Sequence, residues 1–342
     1  MKRKLKSLFG IAVAFVTAGF IMMIAGLAMG GIGELSREVR ELVHVIRVGI
    51  SETVERIPLL ERVTNFNGFT IVLNKDDISV SVNQDYETIQ GDYSDLKLAT
   101  SDEVEAMDIS ILNGVFRMEP SSNGYFGVES TGAEKYQCYV SEGTLYLSAL
   151  PQSGEQSNEA EIILYVPEDC EFNKVFLFCS GEQVCLDMPL QGECLDISSV
   201  LGDNECNGAL DFSEITVTAG AGTFVAGELV AEDLKLEVGT SSVKIGGMES
   251  GNVEVNLGMG DITLQGRTTG NVVINCGIGH FEMLLNDSQK AYNYDISGSA
   301  ESVQIGSDTL AGMMMERWID NGADKEITMS CGMGSVKIEF TE

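Results

Sequence analysis

Histidine is almost missing from this chain: His44 and His280 are the only two among 342 residues. No HExxH or paired-ligand spacing surrounds either, which excludes histidine-built zinc chemistry. Tryptophan occurs once, at Trp318, and proline five times. So little proline, beside 38 glycines and a 44% hydrophobic fraction, excludes a Pro-rich linker and suits an all-β chain with tight turns. Basic residues are scarce as well, with 21 Lys and Arg against 52 Asp and Glu. Four of the 21 (Lys2, Arg3, Lys4 and Lys6) stand in the first ten residues, which leaves 17 against 52 for the remainder. A surface this acidic repels nucleic-acid phosphates and anionic headgroups, so no nucleic-acid partner is expected.

Other motifs are lacking too. The eight cysteines (Cys138, Cys170, Cys179, Cys185, Cys194, Cys206, Cys276 and Cys331) contain no CxxC pair, which removes zinc-ribbon and thioredoxin-like readings. Cys276 and Cys331 stand where other repeats carry aliphatic residues, so they are expected as buried free thiols acting as small hydrophobes. A Cys276–His280 nucleophile is the rival reading, four residues apart. The carboxylates are scattered: Asp76-Asp77 and Asp102-Glu103 read as turns, and no DxDxDG loop offers a calcium site. No catalytic residue, cofactor or metal ligand is assigned, and no enzyme activity is expected.

What is present begins with residues 8–32, LFGIAVAFVTAGFIMMIAGLAMGGI, 25 residues without a charge. At 1.5 Å per residue such a helix crosses a hydrocarbon core of about 30 Å. The basic cluster just before it places the N-terminus in the cytoplasm and the rest outside. A cleaved signal peptide, with Gly26-Leu27-Ala28 as its site, is the rival, but the apolar run is long for one. Residues 34–61 follow with a helical period: Leu35, Val39, Leu42, Val43, Ile46, Ile50, Val54 and Ile57. They read as a juxtamembrane amphipathic helix that ends at Pro58. The expected domains are therefore 1–33, the basic tip and anchor; 34–65, helix and linker; and 66–342, an extracytoplasmic β-repeat domain.

From about Phe66 the apolar period becomes two. Residues 71–73, 78–82, 107–111, 115–118, 143–147 and 161–167 read as strands, while 83–106 and 151–160 read as loops. Residues 253–264, VEVNLGMGDITL, then show alternation, a GxG, and alternation again. Residues 215–226, 234–245, 272–283 and 327–338 repeat this pattern. Phe178, Ile197, Val217, Leu236, Val255 and Ile274 mark one position, with steps of 19, 20, 19, 19 and 19 residues. So regular a step predicts a β-solenoid-like stack of two-strand repeats of about 19 residues, each burying its apolar face on its neighbours. Gly258, Gly260, Gly277 and Gly279 are expected at corners, where positive φ and the close approach of the next coil both exclude a Cβ. No Lys-Ser/Thr follows them, so they are not a phosphate loop. Residues 288–326 interrupt the repeat, and the copy at 327–338 reads as the final coil. Trp318 and Met313-Met314-Met315 are expected to cap the exposed edge, with a ligand pocket at Trp318 as the alternative.

The order of these pieces resembles a family of bacterial “putative adhesins” with β-strand repeats, a domain of unknown function. The resemblance rests on Met107-Asp-Ile-Ser-Ile111, Val115-Phe-Arg-Met118, Gly143-Thr-Leu-Tyr-Leu147, residues 160–167, the GxG repeats, and residues 292–297 and 327–338. It implies a surface β-repeat domain, often on a membrane anchor and sometimes tied to envelope-stress regulation, with no catalytic residues to carry over. The expected partners are the membrane, through residues 8–32, and a cell-envelope polymer or an integral membrane protein. The expected function is noncatalytic binding or scaffolding at the cell surface. The alternatives are an accessory of envelope-stress sensing and, weakest, a wall-polymer enzyme.

Overall fold

The computed structural model describes residues 69–74, 77–82, 99–111, 114–131, 136–149, 161–179, 182–299, 302–310 and 315–341. The expected anchor (8–32) and juxtamembrane helix (34–61) lie outside the described residues. No helix among the described residues is long and apolar enough to cross a membrane. β1 (Phe69–Asn74) and β2 (Asp77–Val82) form an antiparallel pair of their own. All other strands join one extended β structure.

Its unit is a coil whose strands pair in parallel, in register, with the coils on either side. The ladders run through β4 (Ala106–Ile111), β5 (Val115–Pro120), β8 (Thr144–Ala149), β9 (Glu161–Val166), β10 (Glu171–Cys179) and β11 (Gln183–Leu186). They continue through β12 (Leu190–Ser199), β13 (Asp203–Cys206), β14 (Leu210–Ala219), β15 (Thr223–Val238), β16 (Ser242–Leu257), β17 (Asp261–Thr268), β18 (Val272–Cys276) and β19 (His280–Leu285). The outermost and final coils are β20 (Tyr292–Gly298) with β21 (Ser302–Ile305), and β24 (Lys325–Cys331) with β25 (Ser335–Phe340). The first wall, before each glycine corner, stacks β8, β4, β10, β12, β14, β15, β16, β18, β24 and β20. The second, after the corner, stacks β9, β5, β11, β13, β15, β16, β17, β19, β25 and β21. In the middle coils the pairing continues along a third wall, where Leu210, Leu229 and Met248 stand in line. The repeat is thus a three-sided turn of a prism rather than two strands alone.

Alternation fills the interior. One column of the first wall reads Leu147, Ile109, Leu177, Ile197, Val217, Leu236, Val255, Ile274, Met329 and Ile296, every one buried. The column nearest the corner mixes small and aliphatic residues: Ile111, Cys179, Ser199, Ala219, Val238, Leu257, Cys276 and Cys331. Here the register corrects the sequence reading: Leu177, not Phe178, is the partner of Ile197. A one-residue slip moves a side chain to the opposite face. Phe178 is apolar for another reason, since it packs outside the prism in a small cluster with Val200, Phe176 and Leu201.

The corners depend on close approach. The ladder passes through them, with Met259 N–H bonded to Gly239 O and Ile278 N–H to Gly258 O, both at 2.8 Å. A Cβ on Gly260 would overlap the carbonyl oxygen of Ser241, and one on Gly279 that of Gly260. A Cβ on Gly277 would stand 2.6 Å from Gly258 O. None of these glycines has a positive φ, so that part of the expectation is not met; Gly202 and Gly222, at the corners of earlier coils, have φ of +98° and +111°. The residue between the two glycines points outward, which leaves Met259, Ile278 and Met333 exposed along one edge.

Chain order and spatial order part company at both ends. β4 and β5 lie between the coil of β8 and β9 and that of β10 and β11. The last segment, β24 and β25, lies between the coil of β18 and β19 and that of β20 and β21. The copy at 327–338 is therefore the final coil in sequence but the penultimate one in space. Antiparallel strands pair the outer coils: β6 (Tyr125–Thr131) on β9 and β7 (Tyr136–Ser141) on β8 at one end, with the two-residue β3 (Ala99–Thr100) on β6. At the other end β22 (Asp308–Leu310) lies on β21 and β23 (Met315–Ile319) on β20. This pairing occupies strand edges that would otherwise be open templates for association. Trp318 rides on β23, which covers this edge, but its own side chain is 66% exposed and does not pack as the expected cap; Met313 and Met314 lie outside the described residues.

Two outcomes test this packing. Ile274→Asp, which buries a charge between Val255 and Met329, should cost at least about 4 kcal/mol and lower the melting of several coils together, read by circular dichroism. A melt like the parent's would contradict the inward assignment. Gly279→Ala should cost about 1–3 kcal/mol by the same melt, because the obstacle is backbone and cannot step aside.

A clamped cleft beside the outermost coil

The residues with chemistry in the sequence do not converge. Cys276 points into the core, where its thiol donates to Gly279 O at 3.4 Å, while His280 lies outside with Nδ1 2.5 Å from Ser335 Oγ. The thiol faces the core and the imidazole faces outward, so they form no nucleophile pair. Cys276 and Cys331 are register partners, and all eight cysteines are free thiols, as expected for those two. The hydrogen bond with Cys331, together with burial, pushes the Cys276 thiol far up. Burial likewise pushes Cys138 and Cys206 up to about 12. Such thiols are neutral and unreactive in the folded state. His44 and Asp76 lie outside the described residues. Glu103 closes a capping box with Thr100, whose backbone N–H and hydroxyl it accepts at 2.8 and 3.0 Å; those bonds hold its carboxyl below the usual value. Among the described residues no group of three or more His, Cys, Asp and Glu could hold a metal.

Among the described residues the fold builds a concavity that the sequence did not announce. It has a volume of about 510 Å³ and is lined by Arg267, Thr268 and Thr269, by Asp287, Lys290 and Ala291, and by residues 321–325. Three separated segments form it. The chain leaves the third wall after β19, turns through residues 286–288, and makes a short 3-10 turn at Gln289–Ala291 before entering β20. Ser288 N–H donates to Asp287 Oδ1 at 2.7 Å, which starts that turn. The lip is the return from β23 to β24, Asp320-Asn321-Gly322-Ala323-Asp324. Gly322, at φ +69°, donates its N–H to Asp320 Oδ1 at 2.8 Å, an Asx-type turn that favours glycine. Asn293 on β20 clamps the lip, accepting from Asn321 N–H (2.8 Å) and Ala323 N–H (3.2 Å) and donating to Ala323 O (2.7 Å). Asn321 donates in return to Tyr292 O at 2.7 Å.

A half-buried ion pair anchors the floor. Lys325 Nζ bonds the Asp287 carboxylate, the Tyr292 hydroxyl at 3.0 Å and Thr268 O at 3.2 Å, and lies 4.1 Å from the Tyr292 ring centroid. Burial alone would raise the Asp287 carboxyl, but Lys325, the Ser288 N–H and the Tyr292 hydroxyl hold it below its ordinary value. Burial would lower the Lys325 ammonium, but Asp287 and Tyr292 raise it above its own. Arg267 and Lys290 differ from Lys325 in having no ion pair among the described residues. Trp318 does not line the cleft. The concavity lies beyond that residue, past the end of β23.

A family model matches residues 119–301, more than half of the chain, from the end of β5 to the outermost coil. The chain belongs to the Toastrack DUF4097 family. The resemblance read from the sequence, to a bacterial domain of unknown function, is borne out. No curated protein matches the chain. Among solved structures, this Toastrack chain is similar to a “putative adhesin” from Bacteroides fragilis NCTC 9343, at 16% identity over 74% of this chain and 97% of that one, with a TM-score of 0.46. A “putative adhesin” from Parabacteroides distasonis ATCC 8503 shows 11% identity over 74% and 98%, with a TM-score of 0.41. A “putative lipid binding protein” from the same strain shows 17% identity over 75% and 96%, with a TM-score of 0.33.

The ion pair gives a signed pH dependence. Asp287, with its carboxyl lowered, contributes stability that is present above the ordinary carboxylate range and lost as pH falls through the lowered value. Lys325, with its ammonium raised, contributes stability that is present below the ordinary lysine value of 10.5 and lost as pH rises through the raised value. Asp287→Asn should therefore cost about 1–3 kcal/mol near neutral pH, with the difference closing as pH falls through the lowered carboxyl value, in melts across the pH range. A gap that persisted at low pH would show that the pair is not its source.

Proposed function

We propose that this chain is a noncatalytic module at the cell surface that binds or scaffolds envelope material, held to the membrane by residues 8–32 with its repeat domain outside. The observation that carries the reading is the clamp on the cleft. Five hydrogen bonds within the protein, among residues 292, 293 and 320–323, fix the lip. A site ordered in advance spends less of its binding energy on ordering loops. The polar groups of the floor favour binding over catalysis. Lys325, Asp287 and Tyr292 satisfy one another, so none is poised to move a proton to or from a substrate. The in-register walls supply the rigidity that a scaffold needs, and the acidic surface keeps the exported domain soluble.

Crosslinking in intact cells tests this reading, with the full-length protein run beside a version lacking residues 34–61. Recovery of wall material with both versions supports a surface-binding module. Recovery of an integral membrane protein only when 34–61 is present would replace it with the accessory reading, in which the helix passes a signal to that partner.

A further inference from the structure

The cleft carries a charge pattern unlike the rest of the domain. Acidic residues outnumber basic ones by 52 to 17 beyond the first ten positions, yet three basic side chains, Arg267, Lys290 and Lys325, line this one concavity. They face two carboxylates, Asp287 and Asp324. Lys325 and Asp287 neutralise each other in the floor. That leaves Arg267 and Lys290, both exposed and without an ion-pair partner among the described residues, against Asp324 alone. In a chain so rich in acid, an unpaired base has many carboxylates it could meet. Two such bases reach this cleft from different segments, one on β17 and one in the 3-10 turn before β20.

The arrangement also says what size and kind of ligand fits. A volume of about 510 Å³ falls within the range of small-molecule sites, roughly 300–1,000 Å³. Around the two cations stand groups that pair with neutral hydroxyls: Thr269, Asn321 and the Asp324 carboxylate. A polyanion is disfavoured, because it would bring many charges against the acidic surface. One anionic group on an otherwise neutral, hydroxyl-rich unit avoids that repulsion, since screening at physiological salt confines it to about 8 Å while the cations act at contact. Arginine adds the planar two-toothed geometry that suits phosphate and carboxylate oxygens.

We propose that the cleft between Arg267, Lys290 and the lip at residues 320–324 binds a saccharide unit bearing a single phosphate or carboxylate group. This rests on the reading of the chain as a surface-binding module and names its ligand class. Lys325 takes a positioning part, because it holds Asp287 and Tyr292 in the floor and leaves the other two cations free.

Equilibrium dialysis of the full chain in a neutral detergent, at low salt, tests the site with three probes: glucose 6-phosphate, galacturonate and glucose. The expected result is binding of one or both anionic sugars, with glucose about tenfold weaker or undetectable. Arg267→Gln with Lys290→Gln should weaken the anionic sugar about tenfold and leave the melting temperature unchanged, because both side chains are exposed. Lys235→Gln, whose residue pairs with Glu237 on the first wall, should bind like the parent. Raising salt from about 0.02 to 0.2 M should weaken binding several-fold. Preference for glucose 6-phosphate identifies a phosphorylated polymer as the source, and preference for galacturonate a uronate-bearing one. Equal binding of glucose, no binding of any probe, or a double variant that binds like the parent overturns the proposal. Recovery of wall material from cells is an independent readout: if it persists while the sugars fail, only the ligand assignment falls.

Discussion

Everything in this molecule answers to one constraint, the parallel in-register ladder between successive coils. A backbone that must pair with the coils on both sides at about 4.8 Å cannot vary in path length from coil to coil. The chain meets this with coils of 19 or 20 residues: Leu177, Ile197 and Val217 are 20 apart, while Val217, Leu236, Val255 and Ile274 are 19 apart. It meets the constraint at the corners with residues that have no Cβ, because the carbonyl of the neighbouring coil occupies that space. Sequence that does not fit the coil is pushed outside it. Residues 286–291, 306–310 and 315–324 leave the parallel ladder, and they form edge strands, turns and part of the lining of the cleft.

The ladder also explains what could be read in advance. A fixed path length writes itself into sequence as a fixed period, so the middle of the stack, from Ile197 to Ile274, was visible with its inward columns and corner glycines. The edges were not. β6 has Gly127 and the buried Ser130 within its alternation, which blurs the pattern, and it pairs antiparallel with a strand 30 residues on. Around Phe178 the run Val175-Phe-Leu-Phe-Cys179 is apolar at every position, so period alone cannot choose the inward set. The structure resolves it by finding a second apolar cluster on the outer side.

The cleft was illegible for a different reason. Its cations come from positions 267, 290 and 325, each a single base in ordinary surroundings, and no spacing rule joins them. The one local signal was Asn321-Gly322, which marks a turn but not what the turn covers. That the turn closes on Asn293 follows only from the pairing of β20 with β24, a contact across about thirty residues. Scarcity was the better clue. In a chain with 17 bases over more than 300 residues, three that line one concavity are informative once their positions in space are known.

The site and the completion of the stack are the same structural event. Lys325 is the first residue of β24, the strand that enters between β18 and β20, and it is also the cation that fixes Asp287 and Tyr292. The next residue, Glu326, donates its N–H to Asn271 Oδ1 at 2.9 Å, which seals the corner of the neighbouring coil. If β24 were absent, β20 would lose its parallel partner, Asp287 its counter-ion and the lip its point of return. Placing the final coil inside the stack rather than at its end therefore does two things. It leaves the outer edges to short antiparallel strands, and it makes the cleft a feature that only the fully assembled prism possesses.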